Sequence, residues 1–549
     1  MKAGKLLAAV AAGLIASLAI AASASADTVQ VTTNLDTLGG GDGCTLRDAA
    51  AAMELGNGVD DCDFVSAAGT DSITFAPSLN GQNIALDSGN GEVTLNDPRG
   101  ALLIAGPGME KLTVTAGSNS RVMAEPGTND ITISGMTITG GDPDPVSDGI
   151  RGGCIFNAGT MTLQNVRVTD CTASAAGTTN LFVDGAAIGN DGTLAVNNSL
   201  IDDNHTSATN TGANGGVAQA RGAIYSDLFA TGLTITNSTI SGNDATANDD
   251  GTGNAIAAAG VSTFSGFDVM NSTVSGNSAS ATEAGGDATS VGGILTQGSG
   301  SIELSTIADN TADLSGSAVT LPAGGVLAQS ASASVALRSS TIAANGPTTG
   351  SFGGANLIAD ESASTTVGNT IIANPRGGDI NCLVIRSAVQ ASAGYNDDYS
   401  NPGGPSCFDS PQTGDVTVDP LLSGVGLADN DAAIQTIALQ PISPMIDAGK
   451  NDTHSFEDER GFTRPVDFSG ITNAVGGDGS DIGAYELQQA CPEQTTPTTP
   501  STVCPTPPGP TPTQPATPPS SQPKKKKCKK HKKGKKASAA KKKCKKRKK

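Results

Sequence analysis

The sequence has no tryptophan, three histidines and few aromatic residues, 12 Phe and 4 Tyr in 549 residues. That scarcity argues against an ordinary globular core, because aromatic side chains usually supply its largest buried areas. Beyond the N-terminus no stretch approaches the roughly 20 apolar residues of a spanning helix, which excludes a helical membrane protein. Cys-x-x-Cys is absent, so with so few histidines the common zinc ligand sets are missing. What the chain has instead is 70 Gly and an abundance of Ala, Ser, Thr, Asn and Asp, a poor composition for a helical bundle. Its length fits two to four domains or one elongated repeat array.

The net charge of −20 conceals a segregation. Residues 524–549 carry 17 Lys and one Arg with no acid, and Lys2 and Lys5 precede the apolar run. The body keeps 13 basic residues against 53 acids, a net of −40. At the other end, Lys2 and Lys5, a Leu6-to-Ala22 apolar run and the small-x-small sequence Ala24-Ser25-Ala26 have the layout of a secretory signal, with the mature chain expected to start at Asp27. Export makes the ten cysteines readable as bridges between sequence neighbours: Cys44 with Cys62, Cys154 with Cys171, Cys382 with Cys407, Cys491 with Cys504, and Cys528 with Cys544. Sequence alone leaves the connectivity open.

A repeat dominates the middle of the chain. Segments such as TLQNVRVTDC, ITNSTISGN, VMNSTVSGN and IELSTIADN share one apolar position, read as Ile138, Val168, Ile201, Ile240, Val274, Ile307, Ile342 and Ile371. The intervals drift around 33 residues, as in a solenoid. A second motif, GGCIFN, GAAIGN, GAIYS, GGILTQ or GGVLAQ, precedes most of them. The stretches between, such as ASAAGTTNLFVD and DATANDDGTGNA, vary and read as one row of loops. The segments are short and alternate with period 2, which selects strands over helical repeats. Asn204, Asn243, Asn277, Asn310, Asn345 and Asn374 close many units, where Asn tolerates a left-handed bend or builds a side-chain ladder between coils. An all-β, single-stranded parallel β-helix fits these features, with right-handedness expected from crossover chirality. Its narrow interior, filled by stacked Ile, Val, Leu and Ala, also accounts for the missing aromatics.

A solenoid must cover its open ends. After Cys44, Thr45 is a good N-cap with Asp48 three residues on; Leu46, Ala50 and Met53 share a face, and Gly56 can end the helix. This capping helix is followed by first rungs in DSITFAPSL, LLIAGPGMEKLTVTAG and SRVMAEPGTNDITISG. After Cys407 the repeat stops, and residues 419–486 read as a C-terminal cap. The Pro/Thr-rich stretch beyond them is an extended spacer on the order of 100 Å if fully polyproline II.

The hexapeptide Cys44-Thr45-Leu46-Arg47-Asp48-Ala49 resembles the CSLREA motif that opens a class of secreted bacterial parallel β-helix proteins, with Thr for Ser and Asp for Glu. DPLL, SPMIDAG, DERGFTRP and DIGAYE, within residues 419–486, resemble the choice-of-anchor Q domain that closes them. The resemblance implies a pectate-lyase-like right-handed solenoid at the cell surface or outside it, and carries no catalytic residue set. The expected organisation is a signal peptide over residues 1–26, an N-terminal cap and first coils over 27–130, β-helix repeats over 131–415, a choice-of-anchor Q-like cap over 416–487, a disordered Pro/Thr-rich linker over 488–523 and a Lys-rich tail over 524–549.

Chemistry is thinly signalled. Asp202 and Asp203 form an adjacent acidic pair, and Arg167 lies on the preceding unit; polysaccharide hydrolysis or elimination would need such groups. Successive strand residues face opposite ways unless a bend intervenes, so the pair reads as a solvated turn, and Arg167 and Arg338 as outward solubilising residues. Asp142, Asp144 and Asp148 on one loop, and Asp249 with Asp250 on another, offer oxygen ligands for Ca²⁺ without an EF-hand spacing. No other cofactor is indicated. The Lys-rich tail resembles a polyanion-binding patch; export argues against nucleic acid and points to anionic envelope polymers or lipid headgroups. The expectation is a secreted, surface-associated β-helix with a structural or adhesive role, the alternative being a polysaccharide lyase or glycoside hydrolase.

Overall fold

The computed structural model describes residues 25–489, apart from 69, 146–148, 214, 317–319, 349–354, 379, 401–403, 452 and 454. The expected signal peptide through residue 24, Asp148, Cys491, Cys504, Cys528, Cys544, and the stretches read as a Pro/Thr-rich linker and a Lys-rich tail lie outside the described residues.

The chain winds as an all-β, right-handed parallel solenoid with one helix near its N-terminus. One coil illustrates the path. Thr160–Gln164 lies in a 13-stranded sheet (sheet 1), Arg167–Thr169 in an 11-stranded sheet (sheet 2), and Thr172–Gly177 in a five-stranded sheet (sheet 3). Leu181–Asp184 then joins a six-stranded sheet (sheet 4) and Ile188–Asn190 a ten-stranded sheet (sheet 5), before Thr193–Asn197 returns to sheet 1. Pairing between coils is parallel throughout these sheets, except where Val65–Ala68 runs antiparallel to Ser25–Val31.

Sheets 1, 2 and 5 enclose the main core. The apolar position of the repeat is a column through sheet 2: Ile138, Val168, Ile201, Ile240, Val274, Ile307, Ile342 and Ile372. Each of these side chains is fully buried, worth roughly 1.5–3 kcal/mol of burial. The last member corrects the sequence register. Ile371 pairs with Thr341 and faces outward, because a one-residue slip exchanges the two faces of a strand. The second motif supplies Ile155, Ile188, Ile224, Ile294 and Val326 to the sheet 5 column.

The turns divide the labour of asparagine between two positions. Asn165, Asn198, Asn237, Asn271 and Asn369 adopt the left-handed conformation, φ 47–54°. The Asn that closes each unit is instead a buried ladder rung. Asn204, Asn243, Asn277 and Asn310 each donate from Nδ2 to Oδ1 of the next Asn at 2.9 Å, ending on Asn345. The ladder continues through Asn356 and Asn381. Asn374 does not belong to it; it sits at φ 52°, in the bend that precedes a rung.

The variable stretches are strands, not loops. Sheets 3 and 4 lie face to face as a fin beside the main core, and their shared interior is almost all alanine: Ala173, Ala175, Ala208, Ala245, Ala247, Ala279 and Ala281 meet Val183, Ala218, Ala220, Ala255 and Ala257. T-A-S-A, D-A-T-A and S-A-S-A carry the period-2 signal, but alanine is a weak strand former and does not look like a core residue in sequence.

The helix Leu46–Leu55 begins at Thr45, whose hydroxyl accepts from the Asp48 N–H at 3.0 Å and donates to its carboxylate at 2.7 Å, and ends at left-handed Gly56. Leu46, Ala49 and Met53 bury against the first rungs, and a bridge joins Cys44 to Cys62. Two further bridges join Cys154 to Cys171 and Cys382 to Cys407.

The C-terminal segment runs back along a flank. After Val416 bridges to Asp397 on the last rung, the chain folds over the outer face of sheet 2. Thr273 donates to the Gln435 carbonyl at 2.6 Å, Glu459 accepts from the Thr306 N–H at 3.1 Å, and Thr341 Oγ1 accepts from Ala484 N at 3.1 Å. The outward residues explain the course. Earlier rungs present Arg167 and Asp202, whereas later ones present Ala308, Ala343, Ile371 and Ala373, which pack under Ile437, Leu439, Met445 and Ile482. Within the segment, fully buried Arg464 donates to the carbonyls of Gly483 at 2.9 Å and Asp481 at 2.6 Å. Glu486 accepts from Val466 N at 2.7 Å and Asp481 N at 2.9 Å, and burial pushes its carboxyl up to about 6. The charged residues of DERGFTRP and DIGAYE thus knit the segment together.

Candidate binding groove

Because the fin stands beside the main core, the outer faces of sheets 4 and 5 meet in an inside corner. Two columns line it. Sheet 4 contributes Arg151, Asp184, Arg221, Ala258, Val291 and Ala323 in register. Sheet 5 contributes Phe156, Gly189, Tyr225, Ser262, Leu295, Leu327 and Ile358. Toward the C-terminal coils the aliphatic members bury one another and fill the corner. Toward the N-terminal coils it opens as a groove of about 680 Å³, lined by Glu92, Arg121, Ala124, Pro126, Gly149, Ile150, Arg151, Phe156, Phe182, Asp184 and Arg221. Gly189 is obligatory there: a Cβ would stand 2.6 Å from the Gly152 nitrogen, so only glycine lets the two strands turn this corner.

Charge and aromatic rings alternate through the groove. Arg221 binds Asp184 through Nε at 2.7 Å and NH2 at 2.9 Å, a planar two-point contact. Its guanidinium lies 4.6 Å from the Tyr225 ring centre, 5.0 Å from Phe264 and 5.7 Å from Phe182. Tyr225 and Phe264 meet at 5.7 Å. Arg121 lies 5.7 Å from the Phe156 ring and bonds Glu92 at 3.0 Å. Arg151 spans Asp191 at 2.7 Å and Asp227 at 2.8 Å. Burial pushes the Asp184 carboxyl up, with Arg221 pulling the other way. Asp191 is likewise raised by burial against the pull of Arg151. Burial, with Asp184 adding to it, pushes the Tyr225 phenol up, so it holds its proton near neutral pH.

The acids and arginine singled out in sequence lie elsewhere. Arg167 grips Asp202 on the next coil through Nε at 2.9 Å and NH2 at 2.6 Å, and Asp203 stands 4.0 Å away. A bend does intervene: Asp203 has φ 54°, so both carboxylates lean toward the one guanidinium. Asp202 is buried rather than solvated. Arg338 pairs with Glu303 across coils at 2.6 Å. Of the described Ca²⁺ candidates, two are on one loop and two at the end of the strand Asp244–Asp249. Asp142 and Asp144 are exposed; Asp249 is buried, accepting from Asn210 Nδ2 at 2.9 Å and Gly251 N at 2.8 Å, while Asp250 faces solvent. Among the described residues, the one grouping of donor atoms close enough for a metal is Cys382, Asp398 and Cys407. Its two sulfurs are bonded to each other and offer no thiolate.

Sequence reading missed the groove, although Phe156 and Tyr225 stand inside the quoted motifs GGCIFN and GAIYS. The signal was an aromatic at the outward position next to the core Ile. Its partners Arg151, Asp184 and Arg221 come from stretches read as loops. No family model, curated protein or solved structure matches the chain.

Proposed function

We propose that the protein is a secreted, surface-associated binding protein that holds a linear neutral glycan along the corner of sheets 4 and 5. The observation that carries this reading is the concentration of Phe182, Tyr225 and Phe264 around Arg221, with Phe156 beside Arg121 along the same groove, four of the sixteen aromatics of the chain. Aromatic faces offer sugar rings an apolar platform, and the paired Arg and Asp groups supply donors and acceptors for hydroxyls. The pairing leaves no surplus cation in the groove, and a body at −40 repels polyanions. The CSLREA-like opening and choice-of-anchor Q-like segment support a place at a bacterial cell surface. On this reading the Lys-rich tail tethers the chain to anionic envelope polymers or lipid headgroups, with the Pro/Thr stretch as a stalk.

A second reading, a glycoside hydrolase or polysaccharide lyase, draws on one arrangement: Asp191 and Asp227 on successive coils, both held by Arg151 at the groove edge. Affinity electrophoresis of the exported protein through neutral and acidic polysaccharides, with assays for new reducing ends and unsaturated products, separates the two. Retardation by neutral polymers without products is expected. Product formation abolished by Asp191→Asn or Asp227→Asn would establish the enzyme instead.

A further inference from the structure

The first described strand, Ser25–Val31, enters a cluster of charged side chains gathered around Arg99. Arg99 faces Asp97 at 3.0 Å, Asp27 at 2.9 Å and Asp71 at 3.3 Å. All three acids are buried. Arg99 also meets the Met53 carbonyl at 2.8 Å, the Met53 sulfur at 3.6 Å and the Phe64 ring at 5.1 Å, and the nearby Arg47 is engaged with Asp36. Among these groups one guanidinium faces three buried carboxylates, each of which costs desolvation. Asp71 registers the imbalance: burial, with neighbouring Asp97 adding to it, pushes its carboxyl up against the Asp27 N–H and Arg99. One atom is already placed to relieve it. The backbone nitrogen of Asp27 donates to Asp71 Oδ1 at 2.6 Å.

We propose that Asp27 is the first residue of the mature chain and that Asp71, with Asp97 and Arg99, forms a receptor slot for its α-ammonium group. The inference rests on the export reading and adds a role for the cut itself. A signal-type peptidase adds one water across the Ala26–Asp27 amide, leaving a carboxylate on Ala26 and an ammonium on Asp27. Before the cut the nitrogen brings one neutral N–H; afterwards it brings a charge and three donors. Two cations then face three anions. The strand gives up the pairs Ser25↔Ala68 and Ala26↔Ala67 but keeps Asp27↔Ser66, Thr28↔Val65 and its parallel register with Asp71–Phe75. Processing therefore locks the first rung of the solenoid. The sign of the linkage follows: pairing raises the amine above its ordinary value of about 8, so the stabilisation is complete below that pH and is lost as pH rises through the raised value.

The test uses the exported full chain. Mass and N-terminal sequencing are expected to place the start at Asp27; a start elsewhere overturns the assigned cut and with it the slot. Acylation of that amine at pH 7 is expected to run about tenfold slower than in Asp71→Asn for each unit by which the slot raises its pKa. Equal rates overturn the slot while leaving the export reading standing. Because Asp71→Asn can also disturb folding, a chain processed to begin at Ala26 gives a second readout. It is expected to melt about 2 °C lower than the Asp27 chain at pH 7, with the difference gone at pH 10; equal melting at pH 7 contradicts the slot.

Discussion

At the residue scale, the buried Arg221–Asp184 pair organises the groove. It costs desolvation of both ions, and its retention makes sense because Arg221 also carries three rings. Arg221→Ala leaves the Asp184 carboxylate buried without its cation, and a loss of about 3–5 kcal/mol at pH 7 is expected. The pH dependence has a definite sign. The folded-state value for Asp184 lies above the unfolded one, so its ionisation costs stability as pH rises from about 4. The Arg221→Ala penalty is therefore expected to be smaller at pH 4 than at pH 7, because protonation of the acid removes the charge left without its cation; chemical denaturation at both pH values measures it. An equal penalty at both would contradict the assignment. Sequence made single residues legible where one chemical role recurs. Asn204 through Asn345 form the ladder that their spacing suggests, and Thr45 caps the helix. Asn374 and Ile371 were misplaced by the same cause: the final unit has a different length, so counting from the motif slips by a residue.

At the element scale, the strands of the main core announced themselves through Ile and Val at alternate positions. The fin did not, since alanine marks its interior. The flank-lying C-terminal segment was legible as a non-repeat unit, but its position was encoded in Ala308, Ala343 and Ile371, outward residues that are apolar only on late coils. Glu459 tests how that segment docks. It is buried under Thr306, accepting from its N–H at 3.1 Å and its hydroxyl at 2.5 Å, and burial pushes its carboxyl well above the usual range. Docking should be strongest below about pH 4, the ordinary carboxyl range, and weaken as pH climbs from there toward the raised value. Glu459→Gln preserves the hydrogen-bonding shape without the charge, so it is expected to remove that decline. Amide exchange of Thr436–Leu439, a strand paired antiparallel with Leu422–Ala428 in this segment, at pH 5 and pH 8, corrected for intrinsic rates, reads the difference; a decline that persists in Glu459→Gln would place its origin elsewhere.

At the scale of the whole molecule, composition was the most informative signal and the least specific. A chain poor in aromatics and rich in Gly, Ser, Thr and Asn builds thin coils, and the solenoid follows. The groove does not follow from composition, because it needs residues of successive coils, more than 30 positions apart, to meet, as Arg151 does with Asp191 and Phe156 with Arg121. The segregated tail makes its own prediction: deleting residues 524–549 is expected to shift the protein from the cell-bound fraction to the medium, and an unchanged ratio would remove the proposed tether.

The claim that the corner of sheets 4 and 5 holds a neutral glycan is tested most directly by replacing two rings on its wall. Phe156→Ala with Phe182→Ala, introduced together in the full chain, is expected to weaken retention by the bound polysaccharide at least about tenfold, some 1.4 kcal/mol, with the melting temperature nearly unchanged. Unaltered retention in a folded double variant would contradict it.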